Sequence, residues 1–460
     1  MSARRKTGGP AARRRNTTPV SVARSAAFNV LRRVEEESAY ASVLLAAIDE
    51  EMRADDRALC YELTLGCLRW QLWLDSLIER YAGRSAAGLD APVRRALRLG
   101  LYQLRFLTRI PASAVVNESV NLIYAARVRS AAGFVNAILR RALREPDFDP
   151  AMLVTEPLAR LSVETSHPLW LIERWANAFG LEETRAFALA NNEAPPVAFR
   201  LNNSQLERAD VLETLRRAGA ILKASQLAPD AWRIEGASGA LRELARQGAV
   251  YIQDEASQLV AHVLDAQSHD RVLDVCAAPG SKTTHIMSRT TDLRLLVAGD
   301  IHLHRLQTVR EACARLSVEQ ARLAAYDATA DALPFAAGVF ERVLVDAPCT
   351  GTGTLRRNPE IRWRISNSDV AELAVRQRRI LLNAAQTVAA HGRLVYSTCS
   401  VEPEENEAVV EAFLRENEEF RLLKLQAPAR LLNEQGEWAR TWPQRDGADG
   451  FFIAAFERRN

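Results

Sequence analysis

Apolar residues recur at helical spacing through the first third of the chain, from Ser21 to about Arg144. Helix-breaking pairs are confined to short joints at 82–83 and 110–111. A run rich in Pro and Asp at 145–150 then ends the pattern. The sequence predicts an all-helical domain over residues 21–150, whose first helix has an apolar face made of Ala23, Ala27, Val30, Leu31 and Val34.

A second, smaller region follows over residues 151–242. A helical stretch over 167–191 leads through a Pro-Pro pair into a short strand at 197–202. A second amphipathic helix is predicted over 204–218. This mixture of short elements predicts a compact α+β connector domain.

From residue 243 onward, short uninterrupted apolar runs alternate with helical segments. This alternation is typical of a parallel sheet that is buried on both faces by helices. Such a sheet binds ligands outside the carboxyl ends of its strands. Residues 243–460 are therefore predicted to form a doubly wound, Rossmann-like α/β domain, with strands at 271–277, 293–300, 322–328, 342–348 and 393–400.

The composition fits a soluble, multidomain globular protein, because 48% of the 460 residues are hydrophobic and 25% are charged. No apolar run approaches the roughly 18 residues of a membrane span, so we expect a cytoplasmic protein without a membrane partner. The six cysteines form no C-x-x-C pair, which argues against a disulfide framework and against a metal site. Cys60 and Cys67 lie on apolar helix faces and are expected in the core.

The net charge is only +3, so affinity for nucleic acid would have to come from local clusters of basic residues. Residues 1–20 hold six basic residues and no acids, and are predicted to form a flexible tail. That tail is either solvated without a partner or a weak phosphate-binding segment. Arginines of the helical domain leave two alternatives open, solvated helix faces or RNA contacts: Arg94, Arg95, Arg98, Arg105, Arg140, Arg141 and Arg144.

The first strand of the α/β domain ends in a turn of small residues that leads into a helix, over 274–284. Such a turn lets the backbone approach a ligand closely, with helix N–H groups available to it. The turn lacks the glycine pattern of a P-loop and that of the dinucleotide fingerprint G-x-G-x-x-G. The sequence therefore predicts a nucleoside site without a phosphate loop.

Acidic residues end the next two strands. Asp300 is placed to accept hydrogen bonds from ribose hydroxyls, and Asp327 lies where an adenine edge would be. Each acid alone could be an ordinary turn or cap residue, but with Asp274 at the end of the first strand there are three acids at successive strand ends, which favours a ligand. A nucleoside cofactor without a phosphate loop indicates S-adenosylmethionine, held by Asp300, Asp327 and Asp346 and by the turn residues Cys276, Ala277, Ala278, Pro279, Gly280, Ser281 and Lys282.

Two cysteines lie in polar loops at the ends of the fourth and fifth strands. Cys349 follows Asp346, and Cys399 lies in the sequence Ser-Thr-Cys-Ser. Neighbouring parallel strands would bring both thiols to the same rim beside the carboxylate. A single strand-end cysteine is usually a core residue, whereas two at one rim indicate reactive thiols.

The strings CAAPGSKT, DAPCTGTGTLRRNPEIRW and STCSVEPEEN resemble the motifs of the RNA cytosine-5 methyltransferases. The helical part, with DRALCYELTLGCLRW, RIPASAVVNESVNL and GFVNAILRR, is similar to the NusB-like domain of the RsmB/Sun branch, which modifies small-subunit ribosomal RNA. The resemblance implies 16S ribosomal RNA as substrate, either naked or in an early small-subunit particle. We expect the protein to act as a monomer.

The resemblance also implies roles for the site residues. Cys399 is the nucleophile that adds to carbon 6 of cytosine, and Asp346 hydrogen-bonds N3 and the exocyclic amine. Cys349 assists release of the enzyme, either as a base or through an ordered water. Lys282 orients Asp346 or the methionine end of the cofactor, or else faces solvent. The family usually has Gly where this chain has Ser281, which narrows the cofactor turn.

To reach two cysteines in a pocket, the target base must leave its stack, so the RNA is a hairpin loop or carries a flipped base. A basic and aromatic cluster follows the Cys349 loop and suits phosphates and a stacked base, the alternative being a solvated loop with the tryptophan packed on the sheet: Arg356, Arg357, Arg362, Trp363 and Arg364.

Two rival functions remain at this point. A transfer-RNA cytosine-5 methyltransferase would share the catalytic domain, but the NusB-like extension favours ribosomal RNA. A non-catalytic RNA-binding or antitermination factor would not need both cysteines and all the acids at the strand ends.

Overall fold

The computed structural model describes residues 20–48, 52–202, 208–290, 292–318 and 321–459. The six basic residues of the predicted tail lie outside the described residues. The chain divides into two compact units, residues 1–166 and 167–460. The predicted domain borders at 150 and 242 stay predictions. Among the described residues, no helix combines the length and the apolar composition that a membrane span requires.

The first unit is helical, as predicted. One hydrophobic core joins its first seven helices, and Cys60 and Cys67 are buried within it, as expected. Gly83, with φ +68°, ends the fourth helix in the left-handed conformation that glycine adopts without strain. The helices are α1 Val22–Glu36, α2 Ala41–Ala46, α3 Ala54–Arg69, α4 Gln71–Ala82, α5 Ala91–Phe106, α6 Ala112–Ala125, α7 Ala132–Arg144 and α8 Pro157–Thr165.

Three arginines of α5 make ion pairs within the helical unit. Arg95 is 3% exposed and contacts Glu35 and Glu36 of α1. Arg98 binds Asp75 of α4 with two hydrogen bonds, of 2.7 and 2.6 Å. Arg94 also binds a carboxylate of α1. These ion pairs link α5 to α1 and α4. They explain the three arginines better than RNA contact or simple solvation does.

The second unit begins with two helices. They fall within the helical stretch predicted over 167–191, and Gly180 with φ +82° lies between α9 and α10. An antiparallel four-stranded sheet of order β2-β3-β1-β4 follows. Its elements are α9 Leu169–Phe179, α10 Leu181–Ala190, β1 Val197–Leu201, α11 Arg208–Arg217, β2 Ile221–Ala224, β3 Ala231–Glu235, α12 Ser238–Arg246 and β4 Val250–Ile252.

The large sheet has the order β10-β12-β9-β8-β5-β6-β7, with β11 paired to β12. All five predicted strands are present, as β5 to β9, and they are parallel to one another. The elements are α13 Glu255–Leu264, β5 Arg271–Asp274, α14 Ser281–Arg289, β6 Leu295–Asp300, α15 Leu303–Arg315, β7 Ala321–Ala325, β8 Phe340–Asp346, α16 Asn367–Gln386, β9 Val388–Thr398, α17 Glu407–Glu416, β10 Phe420–Leu422, β11 Trp438–Thr441, α18 Pro443–Asp446 and β12 Phe451–Arg458.

Three antiparallel strands at one end of the sheet are absent from the sequence prediction. β12 runs antiparallel to β9 and continues the sheet to β10 and β11. Helices cover both faces, because α13, α14 and α15 contribute to one buried cluster and α16 and α17 to the other. The domain is therefore doubly wound, but its sheet is mixed rather than wholly parallel.

The strand order places a crevice at the centre of the sheet. β5 lies between β6 and β8. From β5 the strand order continues through β6 and β7 on one side, and the chain then crosses back to add β8 and β9 on the other side. Ligands of open α/β sheets bind at this reversal, outside the carboxyl ends of the strands. Asp274, Asp300 and Asp346 end the three strands there.

Candidate active site

The turn after β5 is held close to the neighbouring strand. The N–H of Ala277 donates to the carbonyl of Gly299 at 2.7 Å, and the N–H of Gly280 donates to the carbonyl of Ala277 at 2.7 Å. Gly280 has φ +102°, and a Cβ there would lie 3.1 Å from the Cα of Val309 in α15. Only glycine fits this position well, so the turn brings backbone to the crevice and starts α14 at Ser281.

A cleft of about 750 Å³, its open mouth included, lies at the strand ends. Its walls contain residues of the β5 turn, the three acids predicted to hold the cofactor and both loop cysteines, namely Cys276, Ala278, Asp300, Asp327, Asp346, Cys349 and Cys399. Ala277, Pro279, Gly280, Ser281 and Lys282 shape the turn without lining this cleft.

Asp300 and Asp327 differ in their surroundings. Asp300 is 5% exposed, accepts a 3.0 Å hydrogen bond from the N–H of His302, and lies 3.3 Å from the guanidinium of Arg305. Asp327 is exposed and accepts hydrogen bonds from the hydroxyl and N–H of Thr329, which lower the pKa of Asp327. The Arg305 side chain is half exposed. These acceptors and the glycine-shaped turn suit a nucleoside with a ribose diol.

A partly buried ion pair joins α14 to β8. The ammonium of Lys282 lies 2.7 Å from Oδ2 of Asp346, and the hydroxyl of Ser397 donates to Oδ1 at 2.8 Å. Lys282 is 7% exposed, so the solvent-facing alternative is wrong. Burial disfavours its charge, but Asp346 outweighs burial and raises the pKa of Lys282. The pair holds Asp346 in one orientation at the edge of the cleft.

The two loop cysteines are brought together, with 3.3 Å between their sulfur atoms. The N–H of Gly353 donates to the carbonyl of Cys399 at 2.9 Å and links the two loops. The hydrogen bond to Cys399 and burial raise the pKa of Cys349 well above its usual range. Either sulfur atom can donate the hydrogen bond that joins the two thiols. The six cysteines are all free.

Asp274 ends β5 without lining the cleft, and it is not among the residues predicted to bind the cofactor. It is fully buried, and its Oδ2 accepts a 2.7 Å hydrogen bond from the hydroxyl of Thr283. Its Oδ1 has no partner among the described residues. Burial is the main cause that raises the pKa of Asp274 to about 7, and the charge of Asp346 adds to it. Its position at the end of the first strand is the sequence signal that could have identified it.

The arginines after the Cys349 loop do not form the predicted phosphate-binding cluster. Arg356 and Arg357 bind the buried carboxylate of Asp449 at 2.9 and 2.6 Å, and Arg357 also binds Asp254 at 2.7 Å. Arg362 is fully buried and donates to the side chain of Asn192 at 2.9 Å. The prediction is wrong for these three residues, because their charge is used to fix the loop inside the protein.

One group of side chains in the described part of the chain could hold a metal ion, namely Asp230, His262 and His285. Burial lowers the pKa of His262 to about 4, so its ring is neutral. The guanidinium of Arg289 donates to Asp230 at 2.6 Å and lies 3.3 Å from the His262 ring. A cation already occupies this position, and the group is better described as an ion pair.

Proteins similar in sequence to this chain match it over nearly its whole length. It is 34% identical to the probable ribosomal RNA small subunit methyltransferase B of Bacillus subtilis, over 95% of this chain and 98% of that protein. The family model described as 16S rRNA methyltransferase RsmB/F matches residues 261–457. The chain belongs to the RsmB/F family. It is accordingly an S-adenosylmethionine-dependent RNA methyltransferase, which excludes the non-catalytic rival.

Further comparisons extend the RsmB/F assignment to the other regions. The NusB family model matches residues 21–144, and the RsmF/B-like ferredoxin-like domain matches 167–240. The ribosomal RNA small subunit methyltransferase B of Pseudomonas putida is 36% identical over 94% of this chain and 97% of that protein. The crystal structure of PH0851 has a TM-score of 0.82 at 27% identity, and the match covers 96% of this chain and 100% of that one. The predicted NusB-like, connector and methyltransferase folds are confirmed.

Proposed function

We propose that this RsmB/F family member transfers a methyl group from S-adenosylmethionine to carbon 5 of a cytosine in 16S ribosomal RNA, through a covalent bond between Cys399 and carbon 6. The observation that supports this most is the pair of sulfur atoms 3.3 Å apart at the same strand ends as the Lys282–Asp346 ion pair. A nucleophile, a second thiol and an oriented carboxylate are the groups that this reaction requires.

Carbon 5 of cytosine is too weak a nucleophile to take a methyl group unaided. In the first step, the Cys399 thiolate forms a C–S bond to carbon 6 with its own electron pair. The electron pair of the C5–C6 double bond then becomes available at carbon 5. Cys399 suits this step because it lines the cleft together with Asp346.

Asp346 and Lys282 meet the charge that develops on the base. With Oδ2 bound to Lys282 and Oδ1 to Ser397, the Asp346 carboxylate is oriented before the substrate arrives. It can accept a hydrogen bond from the exocyclic amine. The Lys282 ammonium is the proton source beside it, so a proton passed to N3 through Asp346 neutralises the ring during the attack and returns afterwards.

The cofactor would lie between the β5 turn and the acids at the strand ends, with Asp300 on the ribose and Asp327 towards the adenine. S-adenosylmethionine, when bound, supplies an electrophilic methyl group and keeps the electron pair of the broken C–S bond. Ser281 begins α14, is half-buried and does not line the cleft, and its effect on the cofactor turn stays a prediction.

Release requires loss of the proton on carbon 5 to water. The freed electron pair re-forms the double bond, and the pair of the C6–S bond returns to the Cys399 sulfur. The thiol of Cys349 can donate a hydrogen bond to that sulfur as it leaves, which lowers the barrier to release. Overall, one hydrogen of cytosine is replaced by a methyl group and one proton is released.

Bisulfite sequencing of 16S ribosomal RNA and transfer RNA tests the proposed reaction and substrate. Cells lacking the gene would be complemented with wild-type protein or with Cys399→Ala. We expect one 16S cytosine to be protected from deamination by the wild-type protein alone. Protection confined to transfer RNA would support the rival substrate, and no protected cytosine in either RNA would contradict cytosine-5 methylation.

A further inference from the structure

Glu405 is a fully buried carboxylate that contacts both cysteine loops. Its Oε1 accepts a 2.9 Å hydrogen bond from the N–H of Thr350, and its Oε2 accepts bonds from the hydroxyls of Thr350 and Ser400. Thr350 directly follows Cys349, and Ser400 directly follows Cys399. One side chain therefore binds the next neighbour of each reactive thiol.

A fourth donor connects this carboxylate to the helix behind the site. The side-chain amide of Gln377 in α16 donates to Glu405 at 2.8 Å and to the carbonyl of Pro348 at 2.9 Å. The hydroxyl of Tyr396 donates to the backbone carbonyl of Glu405 at 2.6 Å. Because a buried carboxylate that accepts several bonds tolerates little displacement, the two loops are tied to one fixed point.

The negative charge of Glu405 also influences the protonation of Cys349. Burial raises the pKa of Glu405, although hydrogen bonds from Ser400, Thr350 and Gln377 oppose this. The carboxylate in turn contributes to the raised pKa of Cys349, after the bond to Cys399 and burial. A negative Glu405 thus favours the protonated form of the Cys349 thiol.

We propose that Glu405 is a positioning residue that holds the Cys349 loop against the Cys399 loop and sets the separation of the two sulfur atoms. Its effect on methylation rests on the proposed function, whereas its effect on thiol separation does not. Replacing the carboxylate by an amide puts an N–H₂ group against donors, so the buried N–H and hydroxyls lose part of their acceptor and the loops move apart.

Oxidation of the thiol pair measures their proximity without RNA or cofactor. Oxidised glutathione converts two protein thiols into one disulfide while it is reduced to two glutathione thiols. The full chain would be treated with it, and the Cys349–Cys399 disulfide followed by mass spectrometry of digests. We expect Glu405→Gln to slow disulfide formation by about fivefold or more, because the reaction needs the sulfur atoms in contact.

Glu402→Gln is the matched control. Glu402 belongs to the same motif and is equally buried, but its carboxylate binds Arg174 and the indole of Trp175 instead of the cysteine loops. Its loss should lower the melting temperature while the disulfide forms within about twofold of the wild-type rate. Glu405→Gln should also lower kcat by about 10- to 100-fold with KM for RNA nearly unchanged, because only the alignment of reacting groups suffers.

An unchanged disulfide rate in Glu405→Gln, or an equal slowing in Glu402→Gln, would overturn the proposal. If Glu405→Gln does not fold, Thr350→Val removes one hydroxyl donor and should slow the disulfide by about twofold to threefold; an unchanged rate there would also overturn it. Slower disulfide formation together with no cytosine methylation by the wild-type protein would leave the positioning role intact and contradict the proposed function instead.

Discussion

The two ends of the cleft are built from contacts of different range. At the reaction end, the bonds that orient the chemistry join residues 50, 64 and 51 positions apart, namely Cys349 to Cys399, Lys282 to Asp346, and Ser397 to Asp346. At the nucleoside end, Asp300 and Asp327 are held by residues two positions away. Reacting groups need a geometry that only the packed sheet supplies, whereas an acceptor for a ribose needs only a strand end and a turn.

The largest effect should come from the thiols at the reaction end. Cys399→Ala removes the group proposed to bond to carbon 6, so methylation should fall by about 10⁴-fold or more and no protein–RNA adduct should form. Cys349→Ala leaves attack and methyl transfer possible but slows release. It should accumulate a covalent RNA complex that survives denaturing electrophoresis.

Cys313→Ala is the control for these variants, since Cys313 is a buried cysteine of α15 outside the cleft, and both activity and adduct should match the wild type. The double variant lacking both reactive thiols should show no adduct. Trapped RNA in Cys399→Ala but not in Cys349→Ala would reverse the two roles.

Lys282→Met tests whether the long-range ion pair serves the chemistry. The substitution roughly keeps the length of the side chain but removes the positive charge that pairs with Asp346. We therefore expect kcat to fall by about 10²- to 10³-fold. Lys223→Met, at an exposed lysine of β2, should have no effect. If Lys282→Met instead weakens cofactor binding in calorimetry and leaves kcat at saturation unchanged, that result would assign Lys282 to the methionine end of the cofactor.

Asp300→Ala tests the nucleoside end. Loss of a buried acceptor of two hydroxyl groups should weaken S-adenosylmethionine binding by about 10- to 50-fold in calorimetry, with little change in kcat at saturation. Asp327→Ala should cost less, about threefold, because that carboxylate is exposed and already bonded to its own turn. Equal affinity of wild type and Asp300→Ala would remove the ribose assignment.

Asp274→Asn should give the smallest effect, and the effect is on the free energy of unfolding. Burial raises the pKa of Asp274 from 3.8 to about 7, so between these values the unfolded chain is ionised while the folded protein keeps the proton. Its contribution to stability is therefore present at low pH, is lost as the pH rises from about 4 to 7, and stays lost above that range. In urea denaturation at pH 8, the free energy of unfolding of Asp274→Asn should exceed that of the wild type by roughly 1–3 kcal/mol.

The gain from Asp274→Asn should shrink towards pH 4, where both chains carry a neutral side chain. A difference between variant and wild type that does not change with pH would mean that the buried carboxyl is not the titrating group.

Much of this protein could be predicted from its sequence because helix and strand periodicity is local. The apolar runs located all five parallel strands, and the polar residues directly after them located Asp300, Asp346, Cys349 and Cys399. A residue that ends a strand of a parallel sheet lies at the ligand edge whatever the rest of the chain does.

The tertiary structure alone decided which charges pair. Arg356 looks like a phosphate ligand in the sequence, but its partner Asp449 lies 93 residues away. Gln377 and Thr350 lie 28 and 55 residues from Glu405, and both donate to it. The antiparallel β12 joins β9 although no periodicity specifies that edge. Periodicity shows which residues are buried, whereas the partner of a buried charge depends on which distant segments the packed fold brings within hydrogen-bond distance.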